Sequence, residues 1–242
     1  MVELTTLTWI AIFAIGAAIV NSIGIFAVYK NAHWVEKIKT YFMCFASGVL
    51  ISTPLTFVLP TAVGKNPDAG FAALFGFLFM LFSNELIKRK TKQKSLAFGI
   101  TAVEGIGIHS FVDGIIYAVT FSVSPLVGIL SGIGLVIHEF AEGVITFSVV
   151  RQGGMRAEIA ARYAFFVAAL TTPIGAFIAY PFVSSLTSSI LGLALGFVSG
   201  VLIYVSAAHL LPEAREHEKE HSLLAFLGGV ALAIVLVFLE MA

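Results

Sequence analysis

Long unbroken apolar runs dominate this chain, with little period-two alternation. Eight stretches lie near the ~20 residues a helix needs to cross a hydrocarbon core: 7–29, 41–63, 70–87, 96–121, 126–150, 160–183, 187–211 and 222–240. Membrane-spanning strands would alternate apolar and polar positions, and these runs do not. The pattern predicts an all-α integral membrane protein with eight transmembrane helices, here called spans 1 to 8. Connections between the spans are short, so one transmembrane domain is expected over 1–242. Span 1 does not read as a cleaved signal peptide. Glu3 stands where a positive region belongs, and the apolar run is too long.

Composition sharpens this picture. Hydrophobic residues make up 59% of the chain and charged residues 12%, about half the charge of an ordinary soluble domain. Mean hydropathy is +1.00. A disordered chain, a basic nucleic-acid binder and an ordinary cytosolic enzyme are all excluded. The 14 basic residues balance the 14 acidic ones, so net charge implies no nucleic acid partner. A single cysteine, Cys44, leaves no internal disulfide and no thiolate cluster for metal. The distribution of charge says more than its sum. With the N-terminus outside, alternate connections carry Lys30, Lys37 and Lys39, then Lys88, Arg89, Lys90, Lys92 and Lys94, then Arg151, Arg156 and Arg162, then Arg215 and Lys219. That places 13 of 14 positive charges on the cytoplasmic side and leaves only Lys65 outside. Both termini are then extracytoplasmic, and an even number of spans is required.

The chain also repeats itself. Gly48–Ala62 and Gly200–Ala214 share 7 of 15 positions, including Gly-Val-Leu-Ile at the start and Leu-Pro near the end. The predicted topology runs span 2 and span 7 in opposite directions, so the copies are inverted. Inverted repeats are a common basis of secondary transporters, with the substrate held near the bilayer midplane. The expected architecture is an inverted repeat of spans 1–3 and 6–8 around a hairpin of spans 4 and 5.

That hairpin concentrates the chemistry. An ionisable side chain at the centre of a bilayer costs at least ~2.5–3.5 kcal/mol, yet span 4 holds Glu104, His109 and Asp113, and span 5 holds His138, Glu139 and Glu142. His109-Ser-Phe-Val-Asp113-Gly114 and His138-Glu-Phe-Ala-Glu142-Gly143 each place an acid four residues after a His, followed by Gly. The i, i+4 spacing puts each pair on one helical face. A tight antiparallel hairpin turning near Ser122–Pro125 brings the two faces to one depth. Two imidazoles and two carboxylates form a borderline donor set suited to Zn2+ and similar first-row ions. A divalent cation also offsets the charge of the buried acids. Glu104, five residues before His109, points elsewhere and reads as a relay or as a protonated packing residue.

These two motifs resemble those of the ZIP (Zrt/Irt-like) family of divalent-metal transporters, of prokaryotic type. Leu211-Pro212-Glu213 at the end of span 7, Pro173-Ile-Gly-Ala176 in span 6, the eight spans and the external termini are similar too, so the likeness covers essentially the whole chain. The resemblance implies a primary metal site of His109, Asp113, His138 and Glu142. It matches Ser110 and Glu139 to a second, adjacent site bridged by Asp113 and Glu142. It further implies that spans 1, 4, 5 and 6 carry the ion past spans 2, 3, 7 and 8, and it suggests a homodimer. The chain departs from the family pattern at three places. Ser110 replaces a frequent Asn, Val112 a frequent Pro, and Thr172 a frequent Glu. The first and last of these weaken a second site, so one well-occupied ion is expected.

The favoured function is a divalent-cation transporter of the cytoplasmic membrane, working toward the cytoplasm. Zn2+ is the transported substrate of choice, with Fe2+, Mn2+, Co2+ and Cd2+ compatible; no catalytic cofactor and no enzyme activity are expected. Two alternatives stand beside it. An intramembrane metalloprotease would need His-Glu-x-x-His, but Glu142 occupies the last position. A metal-free proton channel or relay would use the same His and acids. On the cytoplasmic side His209, Glu213, His217 and His221 form a candidate exit path, with Glu216, Glu218 and Glu220 beside them. The lining of span 2 includes Met43, Thr53 and Thr56, with Ser206 opposite. Phe57 makes the outer mouth less polar than in some family members.

Overall fold

The computed structural model describes residues 5–90, 96–152, 154–216 and 220–241. Every regular element among them is helical. α1 (Thr6–Thr53) continues through a π-helical segment, π1 (Pro54–Val58), into α2 (Leu59–Lys65). α3 (Ala69–Lys90), α4 (Leu96–Val123) and α5 (Pro125–Gln152) follow. α6 (Ala157–Ala164), π2 (Phe165–Ala169) and α7 (Thr171–Val183) make one rod; α8 (Ser188–Tyr204), π3 (Val205–Leu210) and α9 (Leu211–Glu216) make another; α10 (Ser222–Met241) closes the chain.

Among the described residues, six segments are long and apolar enough to cross a membrane: Thr6–Val35, Ile38–Lys65, Ile106–Val123, Pro125–Arg151, Ala157–Val183 and Ser188–Ala208. Ala69–Ser83 and Ser222–Phe238 are shorter apolar helical segments. The connection expected between spans 1 and 2 is not a loop. The helix runs through it and kinks at Asn31, whose φ of −152° and ψ of 81° break the ladder. The Asn31 side chain accepts a hydrogen bond from the backbone N–H of Trp34 at 3.0 Å. This caps the second limb of α1 as soon as the first one ends.

The three π-helical segments share one physical cause. Each lies just before a proline: Pro60, Pro173 and Pro212. Proline offers no N–H, and its ring clashes with the carbonyl four residues back. Those carbonyls belong to Thr56, Ala169 and Ala208, all inside the widened turns. The widening absorbs the clash without ending the rod. In the two copies of the repeat the closing bond falls at the same offset. The N–H of Leu59 bonds to Pro54 O, and that of Leu211 bonds to Ser206 O.

Packing is inside-out relative to a soluble bundle. Along the first limb of α1, Ile12, Ile15, Ile19, Ile23 and Phe26 are exposed, while Ile10, Ala14, Ala17, Asn21 and Ile25 are buried. An apolar stripe of this kind suits hydrocarbon, not water. Within the bundle α5 lies against both limbs of α1, α4 against α7, α3 against α8, and α10 against the second limb of α1. Glycines let backbones meet in these pairs. A Cβ at Gly114 would collide with the Thr172 carbonyl, and one at Gly175 with the Phe111 carbonyl, so α4 and α7 interlock reciprocally. Gly143 meets the Asn21 carbonyl and Gly24 the Phe140 carbonyl in the same way between α5 and α1. Small residues at helix crossings supply close van der Waals packing where lipid offers no hydrophobic driving force.

Because the Gly175 contact is with backbone, the neighbour has no side chain to move aside. Gly175→Leu should destabilise the protein by about 1–3 kcal/mol, the usual cost of overpacking. Thermal unfolding of the detergent-solubilised protein checks this; an unchanged midpoint would contradict the interlock.

Candidate metal centre

α4 and α5 are joined by one residue, Ser124. Its hydroxyl accepts from the Val127 N–H at 3.2 Å, capping α5, and Pro125 occupies the first helical position. This cap and proline start α5 directly after α4 ends, so the two helices run back antiparallel. His109 and Asp113 on α4 then face His138 and Glu142 on α5.

One ligand atom from each of these four residues lies within 4.8 Å of the other three. His138 Nε2 is 3.3 Å from Asp113 Oδ2 and 3.5 Å from Glu142 Oε2. His109 Nε2 is 3.6 Å from the same Asp113 oxygen and 3.8 Å from Glu142 Oε2. Ligands at 2.0–2.1 Å around a tetrahedral Zn2+ stand about 3.3 Å apart, so these four edges need little contraction to enclose such an ion. The two imidazole rings are nearly perpendicular, at 88°, with centroids 5.9 Å apart. They converge on the acids without stacking on each other.

The surroundings orient the donors. His138 Nδ1 lies 2.5 Å from the Leu135 carbonyl. A carbonyl only accepts, so Nδ1 carries the proton and Nε2 turns its lone pair to the cluster. Ser110 donates its hydroxyl to Glu142 Oε1, which leaves Oε2 for the imidazoles. Both Asp113 oxygens and His138 Nε2 are buried without a well-formed hydrogen bond. Such atoms in a protein interior carry a desolvation cost that calls for a partner. The donor chemistry and the unsatisfied atoms together fit a divalent cation as that partner. His109 is the most open of the four, with 13% of its side chain exposed against 0% for Asp113.

The remaining sequence-derived residues fall in different places. Ser110 sits at the edge of the cluster through Glu142. Glu139 is fully buried but lies outside the four-donor group. Asn21 Nδ2 donates to its Oε2 at 2.7 Å, and Thr172 Oγ1 donates to its Oε1 at 3.0 Å. Ser47 and Ser206 bond to each other between the second limb of α1 and π3. His209 lies in π3 and Glu213 in α9; their side chains, like that of Glu104, are outside the described residues, and so is His217. His221 is exposed in the turn before α10. Sequence reasoning passed over Asn21. Its signal was a carboxamide alone of its kind in an otherwise apolar span.

Comparison with known proteins shows the family of this chain. The family model of the ZIP zinc transporters matches residues 87–237, a region that contains all four donors. The zinc transporter ZupT of Chlorobium limicola is 31% identical over 257 residues, covering 92% of this chain and 95% of the relative. The same transporter of Chlorobium chlorochromatii is 34% identical over 154 residues, covering 62% of this chain and about half (55%) of the relative. That of Akkermansia muciniphila is 32% identical over 198 residues, covering 80% and 69%. Long apolar helices that enclose a buried His and carboxylate cluster define the class as a multi-pass membrane protein. The chain belongs to the ZIP zinc transporter family.

Removing a donor should weaken ion binding more than removing an orienting neighbour, which alone typically costs 10–100-fold. Asp113→Ala and His138→Ala should each lower Zn2+ affinity by at least about 100-fold, and Ser110→Ala by about tenfold. Calorimetric titration of purified protein measures both; equal losses would contradict the assigned roles.

Proposed function

We propose that this protein is a secondary transporter that carries a divalent cation, Zn2+ foremost, across the cytoplasmic membrane toward the cytoplasm. The observation that carries the reading is the group of two imidazoles and two carboxylates, spaced for a tetrahedral ion, in the middle of apolar helices. Membership of a zinc transporter family supports the same substrate. His and carboxylate donors without thiolate accept Fe2+, Mn2+, Co2+ and Cd2+ as well, with geometry setting the order.

The reading includes eight spans, with α3 and α10 as the two shorter ones, in a single transmembrane domain, and alternating access through an inverted repeat. Two features support the repeat. The widened turns before Pro60 and Pro212 close at matching offsets. The pairing of helices also maps onto itself when the halves are exchanged. Span 1 with span 5 corresponds to span 6 with span 4, and span 2 with span 8 corresponds to span 7 with span 3. A structure with two equivalent halves has two mirrored end states, which is what exposing one site to either side requires. His209, Glu213, His217 and His221 then form the cytoplasmic exit. The hydrolase alternative places its general base at Glu139, but that carboxylate is engaged by Asn21 and Thr172 and is not one of the four converging donors.

Proteoliposomes loaded with a Zn2+-sensitive dye test the proposal. Added Zn2+ should enter in the wild type and not in His138→Ala, with Cd2+ competing; uptake by neither protein would refute transport. Orientation has its own measurement. With Cys44 replaced, a cysteine placed at Lys65 should react with a membrane-impermeant thiol reagent from outside intact cells. One placed at Arg156 should react only after permeabilisation; the reverse pattern would invert the topology.

A further inference from the structure

Glu139 stands next to a metal-facing imidazole and is nevertheless absent from the donor group. Its two oxygens are taken by side chains from two other helices: Asn21 on α1 and Thr172 on α7. All three residues are 0% exposed. These two partners hold a second contact each. The Asn21 carbonyl meets Gly143, the residue after Glu142, and the Thr172 carbonyl meets Gly114, the residue after Asp113. The residues whose backbones dock on the glycines beside both metal acids are thus the ones whose side chains grip Glu139.

From this we infer that Glu139 is a positioning residue in this chain, the tie that fastens α1 and α7 to the α4–α5 hairpin, and not a ligand of a second ion. Each oxygen of this buried carboxylate is held by a neutral donor, so binding a second cation here would mean sharing or breaking those bonds, and Glu139 lies outside the group of converging donors. The tie also fixes depth. If α1 or α7 slid by one residue, its carbonyl would leave the glycine and its side chain would leave Glu139 together. The helices that the tie joins are therefore held in one register around the four donors. This inference rests on the transport reading for its consequence, but the tie itself stands on the hydrogen bonds and close approaches alone.

The two layers are separated by measuring the metal-free protein first. Glu139→Ala should lower the melting temperature of the detergent-solubilised, chelator-treated protein by several degrees, as should Thr172→Val to a smaller extent. Glu139→Gln should recover most of the loss. Its amide oxygen accepts from Asn21, and its nitrogen donates to the Thr172 hydroxyl. In Zn2+ titrations the wild type and Glu139→Gln should both bind one ion per chain. In proteoliposomes Thr172→Val should reduce the maximal rate at least threefold with KM changed less than twofold, because the ligands are intact while their carrier is loosened. Two tight ions per wild-type chain, or one site lost in Glu139→Gln, would overturn the inference. Equal melting of the wild type and Glu139→Ala would overturn it without touching the transport reading. Should Glu139→Ala fail to fold, the comparison of Thr172→Val with the wild type reads the same tie.

Discussion

Four ionisable side chains meet inside a bundle of apolar helices, and the structure around them follows from making that tolerable. Neither an isolated carboxylate nor a bare imidazolium is stable there. Together they make an environment whose donor chemistry suits a divalent cation, and the Asp113 oxygens and His138 Nε2 lack a hydrogen-bond partner there. The hairpin of α4 and α5 keeps the four donors at one depth. Its one-residue turn starts α5 directly after α4, so a shift of one helix against the other would separate the pairs.

Holding that hairpin in lipid calls on packing instead of hydrophobic burial. Gly114 and Gly143 follow the two metal acids and admit neighbouring backbones to van der Waals contact. Bulk at these positions would push α7 and α1 away from the site. The prolines work differently. Pro60, Pro173 and Pro212 widen the turns that precede them, so their rods bend without exposing a broken ladder to lipid. Glycine crossings flank the four donors, while the widened turns lie on the rods that carry Pro60, Pro173 and Pro212.

The departures from the family pattern form a consistent set. Where Glu is frequent, Thr172 offers a hydroxyl, and that hydroxyl turns to Glu139. Where Asn is frequent, Ser110 reaches Glu142 and orients it. Each of these two side chains makes a hydrogen bond within the protein. The site that remains contains two imidazoles and two carboxylates, which favours a borderline ion over a hard one such as Mg2+.

The sequence alone was enough to mark the membrane class and to single out the four His and acid side chains that the fold brings together. Unbroken apolar runs have few meanings. An acid four residues after a His on one helix face is a local relation that the helical period makes visible. The likeness of Gly48–Ala62 to Gly200–Ala214 is a property of the sequence itself, with Gly and Leu-Pro at the same offsets in both. The kink at Asn31, which replaces an expected loop, was not legible, since one side-chain cap restarts the helix at once. Nor was the role of Glu139. Its spacing from His138 and Glu142 allows a ligand or a tie equally well, and local pattern does not decide between them. Asn21 lies 118 residues away and Thr172 lies 33 away. Only the folded crossing of α1, α5 and α7 brings them to its oxygens, and that long-range meeting separates a buried anchor from an ion's ligand.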